Sequence, residues 1–246
     1  MRNLMLLAAA FGLLAAGAWA QTPLNAGEIL AKIDAAAAAP RDQDFEARLI
    51  LQDASGGSSE RSLLIWQKGA DRRMARFLSP ADQKGISVLS LPDGSIYLYL
   101  PAYKKVKRIA SHVKNSSFAG TDFTYEDMEA VNYSAKYSPA LGPEDERHYV
   151  LDLALRAGQE SGWSRLRVWA LKDSFVLVTV EYYDRQGTLR RRLTSSGVEQ
   201  IKGYWVARER EMHDLSSNHR TRMVLTNLRF DSGLDDELFT TRYLER

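Results

Sequence analysis

The feature that most constrains the fold of this chain is a long series of apolar segments that alternate with period two. In residues 44–51, for example, Phe45, Leu49 and Leu51 alternate with polar side chains, as in a strand with one buried face. Short turns join further segments of this kind, at residues 61–67, 71–78, 85–91, 95–100, 103–108, 148–155, 163–171, 175–183, 188–194, 204–211 and 220–230. Consecutive antiparallel strands with short turns form a meander, and so long a meander must curl. The pattern therefore predicts a strongly curved antiparallel sheet.

Helical signals are few and short. Asn25 and Glu28 have the spacing of a capping box, and the alanine-rich helix that follows them ends before Pro40. Alanine favours helix but buries little area, so we expect this helix to bind its neighbours loosely. Thr124 and Asp127 can cap another short helix. The predicted fold class is mainly β, with a few short helices.

The N-terminal segment has the composition of a secretory signal peptide. Arg2 supplies a positive charge, residues 4–14 are apolar, and residues 18–20 have the small-x-small pattern of a cleavage site. The apolar run is short for a membrane anchor. The chain has no cysteine, so it can carry neither a disulfide nor a lipid on an N-terminal cysteine. We predict a signal peptide at residues 1–20 and a single exported, soluble domain at residues 21–246.

Several strands are apolar on both faces, which bears on what covers the sheet. Leu166 and Val168 lie opposite Trp163 and Trp169 in alternation, whereas a sheet with one solvated face alternates more cleanly. The inside of the curved sheet can hold an apolar ligand, but a sheet packed against helices without any ligand fits the pattern equally well. The candidates for lipid contact follow from strand alternation alone and are Leu49, Leu51, Ile96, Leu98, Leu100, Leu151, Leu153, Leu166 and Val168.

Motifs of catalysis are missing from the sequence. It contains no G-x-S-x-G elbow, no P-loop, no glycine-rich dinucleotide motif and no cysteine nucleophile, and its four histidines lack metal-site spacing on one helix. Asp122 and Glu126 could act as acid and base, but acids recur at helix starts because each is stabilised there by about 0.3–1 kcal/mol. We predict no enzyme activity, no metal and no cofactor. A hydrolase that uses Asp122 or Glu126 is the alternative.

A basic run in the middle of the chain includes Lys104, Lys105 and Lys107, with no acid nearby in sequence. A charged strand that blocks edge pairing explains such a run most simply. The functional alternative is docking to anionic lipid headgroups or to an acidic partner protein, for which the neighbouring tyrosines are suited. The formal net charge is only +2 and no RNA-binding motif is present, so we expect no nucleic-acid partner.

A long motif occupies the same central region. Its pieces are YLYLP at residues 97–101, KR at 107–108, SFAGTDF at 117–123 and YED at 125–127. Together with weaker pieces at residues 181–187, 203–205 and 234–244, this motif resembles that of the outer-membrane lipoprotein-sorting protein family, relatives of the LolA periplasmic lipoprotein carrier. The residues that carry the motif most specifically are Tyr99, Pro101, Arg108, Phe118, Gly120, Asp122, Phe123, Tyr125, Glu126 and Asp127.

The resemblance implies an unclosed half-barrel whose hollow is covered by helices and holds the acyl chains of a lipoprotein or lipid. It implies a periplasmic chaperone that carries this cargo toward the outer membrane, with an inner-membrane transporter of the resistance-nodulation-division type as partner. We expect a monomer without enzyme activity, in which the alanine-rich helix is the movable lid. The alternative is a lipid-sensing or scaffolding module of an envelope complex.

Overall fold

The computed structural model describes residues 23–129, 132–143 and 145–246 of the chain. The predicted signal peptide at residues 1–20 lies outside these described residues. The described part contains three α-helices, which are α1 (Ala26–Ala37), α2 (Tyr133–Lys136) and α3 (Thr241–Leu244). Among the described residues, no helix is both long enough and apolar enough to cross a membrane.

Nearly half of the described residues belong to one large antiparallel sheet. Its thirteen strands within the described residues are β1 (Asp42–Gln52), β2 (Ser58–Lys68), β3 (Arg72–Ser79), β4 (Ser87–Ser90), β5 (Ile96–Leu100), β6 (Lys105–Arg108), β7 (Tyr137–Leu141), β8 (His148–Leu155), β9 (Arg165–Leu171), β10 (Leu177–Tyr183), β11 (Leu189–Ile201), β12 (Tyr204–Asp214) and β13 (His219–Phe230). The strand order is β6-β5-β4-β3-β2-β1-β13-β12-β11-β10-β9-β8-β7. The predicted mainly β fold, an unclosed antiparallel sheet with a few short helices, is confirmed.

The sheet has two edges, and the chain must connect them. β1 pairs with β13 in the middle of the sheet, so β6 and β7 lie at opposite edges although they are consecutive in sequence. The connection between them spans the open side of the curved sheet. We call its residues 109–129 the strap; α2 follows it and leads into β7.

One strand differs from the sequence-based prediction. Residues 138–146 are rich in turn formers and predict a loop, but Tyr137–Leu141 forms β7 and pairs with β8. Proline cannot donate a ladder hydrogen bond and is therefore confined to sheet edges, and Pro139 lies in an edge strand whose other side is unpaired. The turn-forming composition thus marks an edge strand of the sheet.

The helix α1 packs on one face of the sheet, which we call the inner face. A capping box starts the helix: the Asn25 side chain accepts from the Glu28 N–H at 3.0 Å, and the Glu28 carboxylate accepts from the Asn25 N–H at 2.9 Å. Ile29, Leu30 and Ile33 are buried and join the main core on the inner face. The amphipathic pattern of the helix thus fixes which side covers the sheet.

The outer face of β3 and β4 carries a smaller core, formed with the C-terminal segment. Met74 and Leu89 are buried there against Phe239 and Leu244. As a result, all four residues of β4 are buried, which is the burial pattern of a strand covered on both faces.

Candidate functional site

A cavity of about 460 Å³ lies between the inner face of the sheet and the C-terminal half of α1. Its apolar lining includes Ile33 on α1 together with Phe45, Ile65 and Leu166 on the sheet. Pockets that hold small molecules have volumes of roughly 300–1,000 Å³ and are lined mainly by apolar side chains. The cavity, which we call the hollow, is therefore of a size and character that can hold a hydrocarbon chain.

The side chains of α1 explain where the hollow forms. Ile29, Leu30 and Ile33 fill the space under the first two turns of the helix, whereas Ala36 and Ala37 line the hollow under the last turn. Alanine ends at Cβ and leaves the volume that a larger apolar side chain would occupy. The alanine-rich sequence thus creates the space as well as the loose attachment of the helix.

The strand register relates the predicted lipid-contact residues to the hollow. Leu166 lines the hollow, Leu98 packs against the main core while partly buried, and Leu100 is partly buried at the end of β5. The remaining six residues are buried in the core that α1 joins: Leu49, Leu51, Ile96, Leu151, Leu153 and Val168. Strand alternation thus assigns the nine predicted residues to the inner face of the sheet. Contact of their side chains with a lipid stays a prediction.

Aromatic residues of the family motif anchor the strap in the core. Phe118 is 1% exposed, and its ring centroid lies 5.3 Å from that of Phe77 and 5.6 Å from that of Tyr125. The Phe118 N–H donates to the Phe123 carbonyl at 2.8 Å, which closes a tight loop. Gly120 within this loop has φ +73°, a left-handed conformation that side chains rarely adopt, so the motif requires glycine there.

The acidic residues of the motif hold the strap to the sheet. The Asp122 carboxylate accepts from the Thr221 hydroxyl at 2.6 Å and lies 2.6 Å from His219 Nδ1. The Asp127 carboxylate accepts from the Thr124 N–H at 2.7 Å and from its hydroxyl at 2.8 Å. The spacing of these two residues predicts a helix cap, but the short 3-10 helix Glu126–Met128 has Tyr125 at its N-cap position, without a side-chain cap hydrogen bond.

A hydrolytic site would need a nucleophile beside the Asp122–His219 pair. In the described part of the chain, no hydroxyl group is hydrogen-bonded to the Nε2 atom of His219, the contact by which such a pair activates a nucleophile. Nor do the described residues contain a group of three or more His, Asp or Glu side chains that could hold a metal ion. The contacts of Asp122 instead join the strap to β13.

A buried ion pair adds to this attachment. Arg191 of β11 donates to the Asp122 carbonyl at 2.6 Å and to the Asp127 carboxylate at 3.1 Å. The side chains of Arg191 and Asp127 are only 5% and 13% exposed. The Arg191 guanidinium also lies over the rings of Trp163 and Tyr182, at 4.6 and 5.0 Å from their centroids.

Lysine and glutamate side chains fasten the other end of the strap. Lys136 of α2 pairs with Glu126 at 3.4 Å and, more closely, with Glu129. Lys114 pairs with Glu129 at 2.6 Å. The Asp34 carboxylate of α1 accepts from the backbone N–H of Tyr133, the first residue of α2, at 3.0 Å. The helix α1, α2 and the strap are therefore linked by polar contacts.

Two arginines also line the hollow, and the sequence-based site prediction missed both. Arg73 of β3 donates to the Gln67 side chain at 2.7 Å and to the Glu129 carbonyl at 3.0 Å, and Arg210 of β12 faces the hollow beside Met212 and Met223. Burial lowers the pKa of Arg73 to about 10, with a further contribution from the charge of Arg210. Strand alternation could have identified Arg73 as a site residue, because Arg73 lies on the same inner face of β3 as the buried Ala75.

The basic residues proposed for partner docking lie at the edge of the sheet. Lys105 and Lys107 are exposed on the edge strand β6, and Lys104 precedes them with φ +48°. Tyr103 beside them is 70% exposed. Within the described residues, none of the three lysines forms an ion pair. This basic edge both discourages pairing with another strand and offers charge to a partner.

Comparisons with known proteins agree with this architecture. A family model described as "-like: Uncharacterized protein" matches residues 69–246. The crystal structure of a domain from Vibrio parahaemolyticus, assigned as an outer membrane lipoprotein-sorting protein domain, is similar with a TM-score of 0.83 and 29% identity over 90% of this chain and 98% of that chain. None of the curated proteins matches the chain.

Further solved structures show the same architecture. A DUF1329 family protein from Desulfovibrio piger is similar with a TM-score of 0.84 and 26% identity, covering 89% of this chain and 97% of that chain. A LolA superfamily protein from Nitrosomonas europaea has a TM-score of 0.75 and 18% identity over 90% of this chain and 100% of that chain, which shows the fold alone.

Proposed function

Since the chain belongs to the outer-membrane lipoprotein-sorting family of LolA-like proteins, we propose that it is a periplasmic carrier that shields acyl chains of a lipoprotein or lipid. The observation that carries this proposal is the hollow between α1 and the inner face of the sheet. Moving hydrocarbon out of water gains about 0.8 kcal/mol per buried methylene, so an apolar hollow suffices for uptake and no catalytic group is needed. The signal-like N-terminal segment supports export to the periplasm.

Uptake and release both require the cover of the hollow to move. Three buried apolar side chains anchor α1: Ile29, Leu30 and Ile33. The last turn of the helix contributes only alanines to the apolar contact, so this end separates from the sheet at a lower cost. We propose that α1 is the lid and that it opens from its C-terminal end.

Filling the hollow with a larger side chain tests the carrier function. Ala36→Trp places an indole in the space under α1, and we expect the binding of a fluorescent fatty acid to weaken by at least about tenfold because a well-packed site tolerates little added volume. The matched control is Ala35→Trp, since Ala35 is exposed and is not part of the lining. Equal fatty-acid affinities of the two variants would contradict acyl-chain binding in this hollow.

We also propose that the protein carries its cargo toward the outer membrane together with an inner-membrane transporter of the resistance-nodulation-division type. The family resemblance suggests this partner. The exposed residues Tyr103, Lys104, Lys105 and Lys107 form a basic, aromatic surface at the sheet edge, of the kind that docks on acidic proteins or anionic headgroups.

Charge reversal tests the basic edge. We expect the triple variant Lys104→Glu, Lys105→Glu, Lys107→Glu to lose most of the association of the protein with vesicles containing phosphatidylglycerol, since each basic residue near such a surface contributes about 1 kcal/mol. Co-sedimentation at low and at physiological salt measures the effect, and the difference should shrink as salt screens the charges.

The control reverses the same number of charges elsewhere. Arg147, Arg185 and Lys202 are exposed in three separate turns, so replacing all three by glutamate gives the same change in net charge. If this control variant loses vesicle association as strongly as the edge variant, the effect comes from net charge and the basic edge has no docking role.

A further inference from the structure

The hollow contains more charge than a site for hydrocarbon alone requires. Four carboxylates contribute to its lining, and three of them have a cationic partner: Asp127 pairs with Arg191 at 3.1 Å, and Glu126 and Glu129 pair with Lys136. The fourth lining carboxylate, Asp71, is exposed in the turn between β2 and β3. The acids in the interior of the hollow are thus neutralised by cations other than Arg73 and Arg210.

Arg73 and Arg210 lack such neutralisation. Among the described residues, neither guanidinium forms an ion pair with a carboxylate; Arg73 donates to the Gln67 side chain and to backbone carbonyls, whereas Arg210 has no protein hydrogen-bond acceptor. Arg73 is half-buried and Arg210 is accessible to solvent, and both side chains line the hollow. Both guanidinium groups therefore have N–H donors available to an anionic group that enters the hollow.

Two tyrosines beside these arginines add hydrogen-bond donors. Tyr133 and Tyr182 line the hollow with Arg210, and in the described part of the structure neither phenol hydroxyl is hydrogen-bonded to another group. Burial raises the pKa of both phenols, which therefore remain protonated and able to donate. Guanidinium and hydroxyl groups that surround a common space form the donor set used to bind phosphate and carboxylate groups.

We propose that Arg73 and Arg210, with Tyr133 and Tyr182, bind the anionic group of an acyl-chain amphiphile whose chain lies against the apolar part of the hollow. The proposal rests on the carrier function and narrows its cargo to a lipid with a phosphate or a carboxylate. The acyl chains of a lipoprotein anchor carry no such charge and would leave both arginines without a counterion.

Isothermal titration calorimetry with three ten-carbon probes below their critical micelle concentrations tests this proposal. Decyl phosphate and decanoate carry an anionic group, and 1-decanol does not. We expect the wild-type protein to bind both anions at least about tenfold more tightly than 1-decanol, because hydrogen bonds to charged groups contribute more than neutral ones. Tighter binding of decyl phosphate than of decanoate assigns the site to phosphate-bearing lipids, and the reverse order assigns it to free fatty acids.

The decisive variant is Arg210→Gln. We expect it to bind all three probes with the affinity that the wild type has for 1-decanol, whereas Arg210→Lys keeps part of the preference for anions. The control is Arg222→Gln on the outer face, where Arg222 lies 3.7 Å from Glu209, and it should bind like the wild type. Thermal unfolding provides a second readout, since decyl phosphate should raise the Tm of the wild type more than that of Arg210→Gln.

The outcomes separate this inference from the carrier function. Equal affinities of the wild type for the three probes, or an anion preference that persists in Arg210→Gln, overturn the anionic site and leave the carrier function intact. Binding of none of the three probes overturns both.

Discussion

Replacing Arg191 by methionine is expected to lower the free energy of unfolding by roughly 3 to 5 kcal/mol, the usual effect of removing one partner of a buried ion pair. Arg191 donates both to the Asp122 carbonyl and to the Asp127 carboxylate, and both partners belong to the strap. Without Arg191, the Asp127 carboxylate stays in a mostly buried position and keeps only its contacts with Thr124. Urea unfolding followed by tryptophan fluorescence measures the change.

An exposed ion pair provides the control. Arg220 of β13 is paired with Glu211 at 3.0 Å, and the two side chains are 44% and 34% exposed. Exposed ion pairs contribute about 0 to 1 kcal/mol, so Arg220→Met should change the unfolding free energy little. If Arg191→Met and Arg220→Met proved equally mild, the buried pair would not be what holds the strap on the sheet.

The sequence predicts the local features of the fold well because they depend on neighbouring residues. The alternation of Leu49 and Leu51 with polar residues determines a strand and its inward face, and Asn25 with Glu28 determines the start of α1. The sequence does not predict β7, since Pro139 and its neighbours favour turns. Proline is tolerated in this strand because the strand lies at a sheet edge.

The site is less predictable, because its residues come together only through the pairing of strands that are distant in sequence. Arg73 and Arg210 are 137 positions apart in the sequence, and each looks locally like one polar residue in an alternating strand. Their shared position in the hollow follows from the pairing of β1 with β13, which brings the two halves of the sheet together. A sequence pattern can assign a face, but it cannot determine which part of that face remains uncovered.

The absence of large side chains on the last turn of α1 connects the local sequence pattern with the position of the hollow. Local composition predicts a good helix, and the same alanines leave the hollow open once the helix lies on the sheet. Stability of the cover must then come from elsewhere, and the strap supplies it through Phe118 and the Arg191–Asp127 pair. The cover of the hollow thus has one part that packs through alanines and another that is anchored by buried contacts.

Phe118→Ala tests the apolar half of that anchor, and we expect it to lower the free energy of unfolding by about 3 to 5 kcal/mol, the range for truncating a buried phenylalanine. The Phe118 ring is 1% exposed and packs against Phe77 and Tyr125, so its removal leaves a cavity in the main core. The control is Tyr103→Ala, an aromatic residue of the same central region that is 70% exposed, for which a change within about 0.5 kcal/mol is expected. Urea midpoints of the two variants at equal m-values measure the difference, and a loss for Phe118→Ala no larger than that for Tyr103→Ala would show that the strap is held by its polar contacts alone.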